Sequence, residues 1–319
     1  MSSWLNYSRP VPVKKAPIVN FGYRQLLPVG TIVPKTNDTT VVSGFYTMQG
    51  KHSIDIYKNY LRIFLEGCPC KMVFYTEELM VPFIRQCRRA FEDTTDIIVI
   101  DRSKWTANKI PQGVWDSLQS PQNTRTADYY KFIYEKREFI KRTMNSNPFR
   151  STDFIWVNST ICKDSRIIPL IKGFPKSNRI VSDKLMLINQ VPFEFSDEKV
   201  KTISGVTLMP IKDPRINSAI IAGTKEKWIQ YSDLYEATIK KFQAANIFWG
   251  LDSIILTSIA LEHKDMVSLV EPKPIIDSLW KSMYGLLYFG SNAVLFSLLT
   301  DKAMYEKKMS IDELLALLG

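Results

Sequence analysis

Residues 39–46 read TTVVSGFY, residues 71–75 read KMVFY and residues 96–100 read DIIVI. Each is a short β-branched or aromatic run, the composition of a strand. Between the first two, Tyr57, Tyr60, Leu61, Phe64 and Leu65 recur at helical i, i+3, i+4, i+7 spacing, starting from Ser53, and Gly67 closes the helix. A second helix is predicted over Glu78 to Phe91. The unbroken apolar run of DIIVI predicts a central parallel strand. This β-α-β-α-β order predicts an α/β protein with a mostly parallel, Rossmann-like sheet covered by helices on both faces.

Residues 102–126 are polar and contain proline, and read as a long loop of the functional or mobile kind. A helix is expected over Ala127 to Met144, ending before Asn147-Pro148, and a strand over Asp153 to Val157 (DFIWV). Strand-like runs follow at Arg179 to Ile188 and Ser218 to Ile221. Trp228, Tyr231, Tyr235, Ile239 and Phe242 form one stripe of a strong helix, which reads as core packing. After Phe248-Trp249-Gly250, Asp252 opens another helix, and Met266 to Val270 is a short strand. The expected organisation is an irregular, basic, Pro-rich arm over 1–36, one large domain over 37–290 and a helical extension over 291–319, with a small amphipathic helix at Ile311 to Leu318.

The chain has 319 residues, 45% apolar and 23% charged, which is a soluble globular composition. Lys and Arg number 42 against 32 Asp and Glu, a net charge of +10 that favours anionic partners without choosing among them. No DNA- or RNA-reading motif accompanies that charge, so no nucleic-acid partner is expected. The first 20 residues lack an apolar core, so a signal peptide is not expected. Ser282 to Thr300 carries no charge for 19 residues, but Gly285, Gly290, Ser291, Asn292 and Ser297 interrupt it; buried core is expected, not a transmembrane span. The four cysteines (Cys68, Cys70, Cys87, Cys162) lack zinc-site spacing and suit a reducing, cytoplasmic compartment.

Several chemistries are excluded. Two histidines, His52 and His263, cannot build a histidine-rich metal site. No G-x-S-x-G elbow and no G-x-G-x-x-G turn occurs. Gly44…Gly50-Lys51-His52 joins a strand to a helix as a phosphate loop does. It has five intervening residues where four are required, and His52 stands where a magnesium-binding hydroxyl is needed. What remains is the carboxyl edge of the sheet, where open parallel sheets bind ligands. The strand ends Gly44 to Thr47, Tyr75-Thr76, Asp101-Arg102 and Asn158 to Thr160 supply aromatic faces, hydroxyls and a carboxylate there. Lys136 sits between Phe132 and Phe139 on one helix line, and either snorkels outward or offers its charge to a buried anion. Asp252 suits an N-cap as well as it suits catalysis.

Taken in order, the segments at 40–53 (TVVSGFYTMQGKHS), 57–64 (YKNYLRIF), 70–76 (CKMVFYT), 126–140 (TADYYKFIYEKREFI) and 147–159 (NPFRSTDFIWVNS) resemble a known family. SAIIAG at 218–223, FWGLDSIIL at 248–256 and EPKP…WKSMYGLLYFG at 271–290 continue the series. The chain resembles the HtrL/YibB-type glycosyltransferase-like proteins of bacteria and large viruses over roughly residues 38–290. The resemblance implies a GT-A-type nucleotide-diphospho-sugar transferase fold, a nucleotide-sugar donor, a glycan or protein acceptor and a divalent cation, Mn²⁺ or Mg²⁺. It implies that Lys136 neutralises the diphosphate with Arg125 or Lys51 assisting, and that Asp252 is the base or positions the acceptor. Ser43, Gly44, Phe45, Tyr46 and Ser159 would line the nucleotide pocket. The family's metal-binding aspartate falls on Asn158 and its glycine on Thr160. A neutral amide is a weaker cation ligand, and Asp164 would have to supply the charge. The Asn158 exchange also admits an alternative, a catalytically weakened module that binds sugar nucleotide or glycan.

Overall fold

The computed structural model describes residues 39–270, apart from 51, 120–124, 164, 166–167, 176, 178–179, 190–199 and 210–215. The expected arm at 1–36 and extension at 291–319 lie outside these residues, as do Lys51 and Asp164.

The first half folds as its periodicity predicts. Strand β1 (Thr39–Phe45) leads to helix α1 (Ile54–Gly67), β2 (Met72–Thr76), α2 (Val81–Arg88) and β3 (Thr95–Val99). A short helix α3 (Gln112–Ser117), the long helix α4 (Ala127–Ser146) and β4 (Asp153–Val157) follow. The second half comprises α5 (Ile168–Ile171), β5 (Leu185–Asn189), β6 (Lys201–Ile203), β7 (Val206–Leu208), β8 (Ile216–Thr224), α6 (Lys225–Ala244), α7 (Asp252–Glu262) and β9 (Val267–Val270).

The main sheet has seven strands in the order β3-β2-β1-β4-β8-β5-β9. Its only antiparallel neighbours are β4–β8 and β8–β5, so β8 alone runs against the rest. This is the mostly parallel α/β arrangement expected. The reversal of β8 was not expected, nor was the β6–β7 hairpin that forms its own small sheet.

Side chains alternate between two cores as the pleat requires. From β4, Phe154 and Trp156 enter the core under α4, α6 and α7, whereas Ile155 and Val157 enter the core under α1 and α2. The stripe Trp228, Tyr231, Tyr235, Ile239 and Phe242 on α6 is buried in the first of these cores, as predicted.

Three expectations change. DIIVI belongs to β3, which is the edge of the sheet, with Val99 43% exposed. An apolar run reports cover on both faces and says nothing of position in the strand order. The 102–126 stretch is packed where described: Trp105, Ala107, Trp115 and Leu118 are buried. Both carboxylate oxygens of Glu135 on α4 accept from the Thr106 and Ala107 amides, at 3.0 Å each, and tie that segment down. The run from 179 to 188 shortens to a strand at Leu185–Asn189, and residue 179 lies outside the described residues.

Asn147 closes α4 in the left-handed region (φ 36°), which asparagine tolerates. Its side chain both accepts from the Ser151 amide (2.8 Å) and donates to the Ser151 carbonyl (2.9 Å), aiming the chain into β4. Among the described residues, no helix is long and apolar enough to cross a membrane.

Candidate active site

Three pieces of chain meet beyond the carboxyl ends of β1 and β4. The end of β1 and the loop after it supply Gly44 to Gly50, the approach to α1 and its first turn supply His52, Ile54 and Tyr57, and the segment after β4 supplies Asn158, Ser159 and Thr160. Helix α4 closes the space with Tyr129, Phe132, Ile133 and Lys136, whose i, i+3, i+4, i+7 spacing puts them on one face. Arg125 stands just before the helix. The cavity holds about 300 Å³, at the small end of ligand pockets. A larger open groove of about 800 Å³ lies between α3 and α6, but none of the candidate site residues lines it.

Lys136 is 5% exposed and its Nζ lies 2.7 Å from Oδ2 of Asp252, which is 4% exposed. The ammonium also sits 5.7 Å from the centre of the Trp156 ring. Lys136 therefore does not snorkel away; it reaches the cavity wall with a carboxylate fixing it. Asp252 is the first residue of α7, not its N-cap, and spends its carboxylate on Lys136. It is not among the residues that line the cavity, and its side-chain contact is with Lys136.

Asn158 has a defined orientation. The Trp156 indole Nε1–H donates to its Oδ1 at 2.8 Å. An indole nitrogen is a donor only, so this bond fixes which end of the amide faces Trp156. The Nδ2 amino group and the second lone pair of Oδ1 are what the side chain has left to offer a ligand.

The remaining candidates divide. Gly44, Phe45, Tyr46, Arg125 and Ser159 all line the cavity. The Ser159 hydroxyl donates to the Gly44 carbonyl (2.8 Å), holding the β1 and β4 ends together. Ser43 does not line the cavity: it is fully buried and its hydroxyl donates to the Val157 carbonyl at 2.6 Å, a strand-to-strand tie. Lys51 and Asp164 lie outside the described residues.

Sequence reasoning missed several lining residues. The Arg125 guanidinium stacks 4.1 Å from the centre of the Tyr129 ring, and burial pushes the Tyr129 phenol up to about 12, so it remains a neutral donor at physiological pH. Tyr57 packs against Phe45 (6.1 Å) and His52 (5.6 Å), giving one end of the cavity aromatic walls. The helical register of Tyr129 with Lys136 was the available signal.

Outside the wall, Glu77 accepts from the Thr47 amide (2.7 Å) and the Thr47 hydroxyl, and pairs with Arg102 at 3.0 Å. Arg102 in turn donates to the Thr47 carbonyl and faces Asp128 at 3.5 Å. This network pins the loop after β1. Glu77→Gln is expected to cost about 1–3 kcal/mol through the lost charge-assisted bonds. Urea denaturation would measure this, together with faster amide exchange at Thr47.

The described residues do not fit the divalent cation that the resemblance implies. No Asp or Glu occurs among the described residues lining the cavity. Among the described residues, no three His, Cys, Asp or Glu side chains gather where a metal could sit. Hard divalent cations need several oxygen ligands, usually including carboxylates. Here the cavity presents two cationic side chains and an amide whose oxygen already accepts from an indole.

No family model matches the chain, and no curated protein matches it. Among solved structures, the chain is similar to the apo form of mouse xyloside xylosyltransferase 1. The match has 16% sequence identity and a TM-score of 0.43, and covers 72% of this chain and 83% of that one. The HtrL/YibB resemblance therefore rests on the quoted segments alone.

Proposed function

We propose that the protein is a nucleotide-sugar-dependent glycosyltransferase that moves a sugar to a hydroxyl of a glycan or protein acceptor. The observation that carries this reading is Lys136, an ammonium fixed by Asp252 and set in the wall of a cavity at the carboxyl edge of a mostly parallel sheet. In the reaction, the bond from the sugar's anomeric carbon to the diphosphate oxygen breaks. A bond to the acceptor oxygen forms, and the acceptor's proton must be taken up. Negative charge develops on the departing diphosphate, where a preorganised cation is most effective. Lys136 supplies that cation, and Arg125 assists. Tyr57 and Phe45 offer a face to the nucleobase or sugar. His52 lines the cavity and offers an imidazole nitrogen to take the proton.

A second reading, a module that binds sugar nucleotide without turnover, is favoured by one observation: among the described residues, no carboxylate lines the cavity to act as base. A panel of nucleotide sugars, with nucleotide release and thermal shift measured side by side, separates the two. Release from one donor, accelerated by an acceptor, is the expected result. A thermal shift without release under any acceptor would favour the module, and no shift with any donor would sink both. Arg125→Ala is expected to weaken the active donor by about tenfold, the scale of one charge-assisted contact to phosphate, measured as KM or Kd.

A further inference from the structure

The wall of the cavity carries a consistent chemical signature. Its described polar side chains include two cations, Lys136 and Arg125, neutral hydroxyls and amides, and His52; no carboxylate is among the described residues that line it. The position where the resemblance implies a metal-binding aspartate holds Asn158, whose oxygen accepts from the Trp156 indole, and Asp164 lies outside the described residues. Helix α1 also begins at this wall, and the N-terminal end of a helix carries partial positive charge. A metal placed here would meet two cationic side chains and no carboxylate among the described lining residues. An anion would find N–H donors instead.

The geometry points to a site that binds the diphosphate of a nucleotide ligand without a divalent cation, using Lys136, Arg125 and the Asn158 Nδ2 amino group in the cation's place. This inference rests on the nucleotide-sugar reading and specifies how that site neutralises its ligand. Asp252 has a defined part in it. The carboxylate holds Lys136 from outside the cavity, so the ammonium is already oriented when the ligand arrives and little ordering is left for binding to do. Asn158 contributes a neutral donor where an aspartate would repel the phosphates unless a metal intervened.

The test uses the full chain and a set of nucleoside diphosphates (UDP, GDP, ADP, CDP), titrated by calorimetry in EDTA and again in excess Mn²⁺. One diphosphate is expected to bind with affinities that agree within about threefold in the two buffers. Asn158→Asp is then expected to lose about tenfold or more in EDTA, from the new like charge beside the phosphates, and to recover most of it when Mn²⁺ is added. Binding by the natural chain only in Mn²⁺ would overturn the inference while leaving the nucleotide-sugar reading intact. An Asn158→Asp protein that binds in EDTA as tightly as the natural chain would overturn the role given to the Asn158 amide. If no nucleoside diphosphate binds in either buffer, the underlying reading falls and the inference falls with it.

Discussion

Lys136→Ala is expected to abolish nucleotide release and to destabilise the fold by about 3–5 kcal/mol, because it leaves the Asp252 carboxylate buried without its counter-ion. The two side chains are each 6% exposed, and their 2.7 Å contact joins the middle of α4 to the first residue of α7. Against a typical domain stability of about 5–15 kcal/mol, such a loss is severe. A loss of activity in the single variant would therefore have two readings, a damaged site or a damaged fold. The double variant Lys136→Met with Asp252→Leu resolves them. Replacing a buried ion pair with apolar groups of similar size is often neutral for stability, since desolvation of both charges is avoided. Met also keeps the stem that packs beside Trp156. The double variant is expected to unfold in urea near the midpoint of the natural chain, yet to release no nucleotide. If it retained release, Lys136 would be a structural residue and the cavity would need another cation to do its work.

Lys136 was legible in the sequence because a lysine between Phe132 and Phe139 on one helix line is chemically out of place. Its partner was not, because Asp252 lies 116 positions away and no local pattern reports that distance. The exchange of aspartate for Asn158 was visible as a residue type. The consequence, an amide turned by the Trp156 indole, depends on geometry that two residues' spacing along a strand does not convey. Pattern located β1 to β5, β8, β9, α1, α2, α4, α6 and α7, since period 2 and period 3.6 are imposed by burial, but the short elements α3, α5, β6 and β7 were not read. The direction of β8 escaped it, because a buried strand carries the same apolar run whether its neighbours are parallel or antiparallel. The 102–118 segment escaped it too. Its short 3₁₀ turns have no long period, and its burial comes from Trp105 and Trp115 and from amides bound to Glu135.

The second large effect is expected at Arg88, which charge counting would have placed on the surface. It is 1% exposed, and among its described partners there is no carboxylate. Its Nη1 donates to the carbonyls of Leu65 (3.0 Å) and Cys68 (2.5 Å), its Nη2 to that of Cys70 (2.8 Å), and its Nε to the Thr95 hydroxyl (2.8 Å). One guanidinium thus satisfies the end of α1, the turn into β2 and the start of β3. A helix end buried without partners is costly, and each acceptor abandoned inside the protein costs about 1–3 kcal/mol. Releasing the buried charge offsets part of that loss, so Arg88→Met is expected to cost about 3–5 kcal/mol net. Arg88→Lys is expected to recover only part, because a point-like ammonium cannot reach acceptors arranged around a planar fork. These contacts lie where β2 and β3 begin, at the edge of the sheet opposite the cavity. The folded fraction of Arg88→Met should therefore bind nucleoside diphosphate with the natural affinity, measured by calorimetry well below its urea midpoint. A weakened Kd in the folded protein would mean that the amino edge of the sheet controls the geometry of the cavity, and that the first three strands cannot be treated as a rigid platform for it.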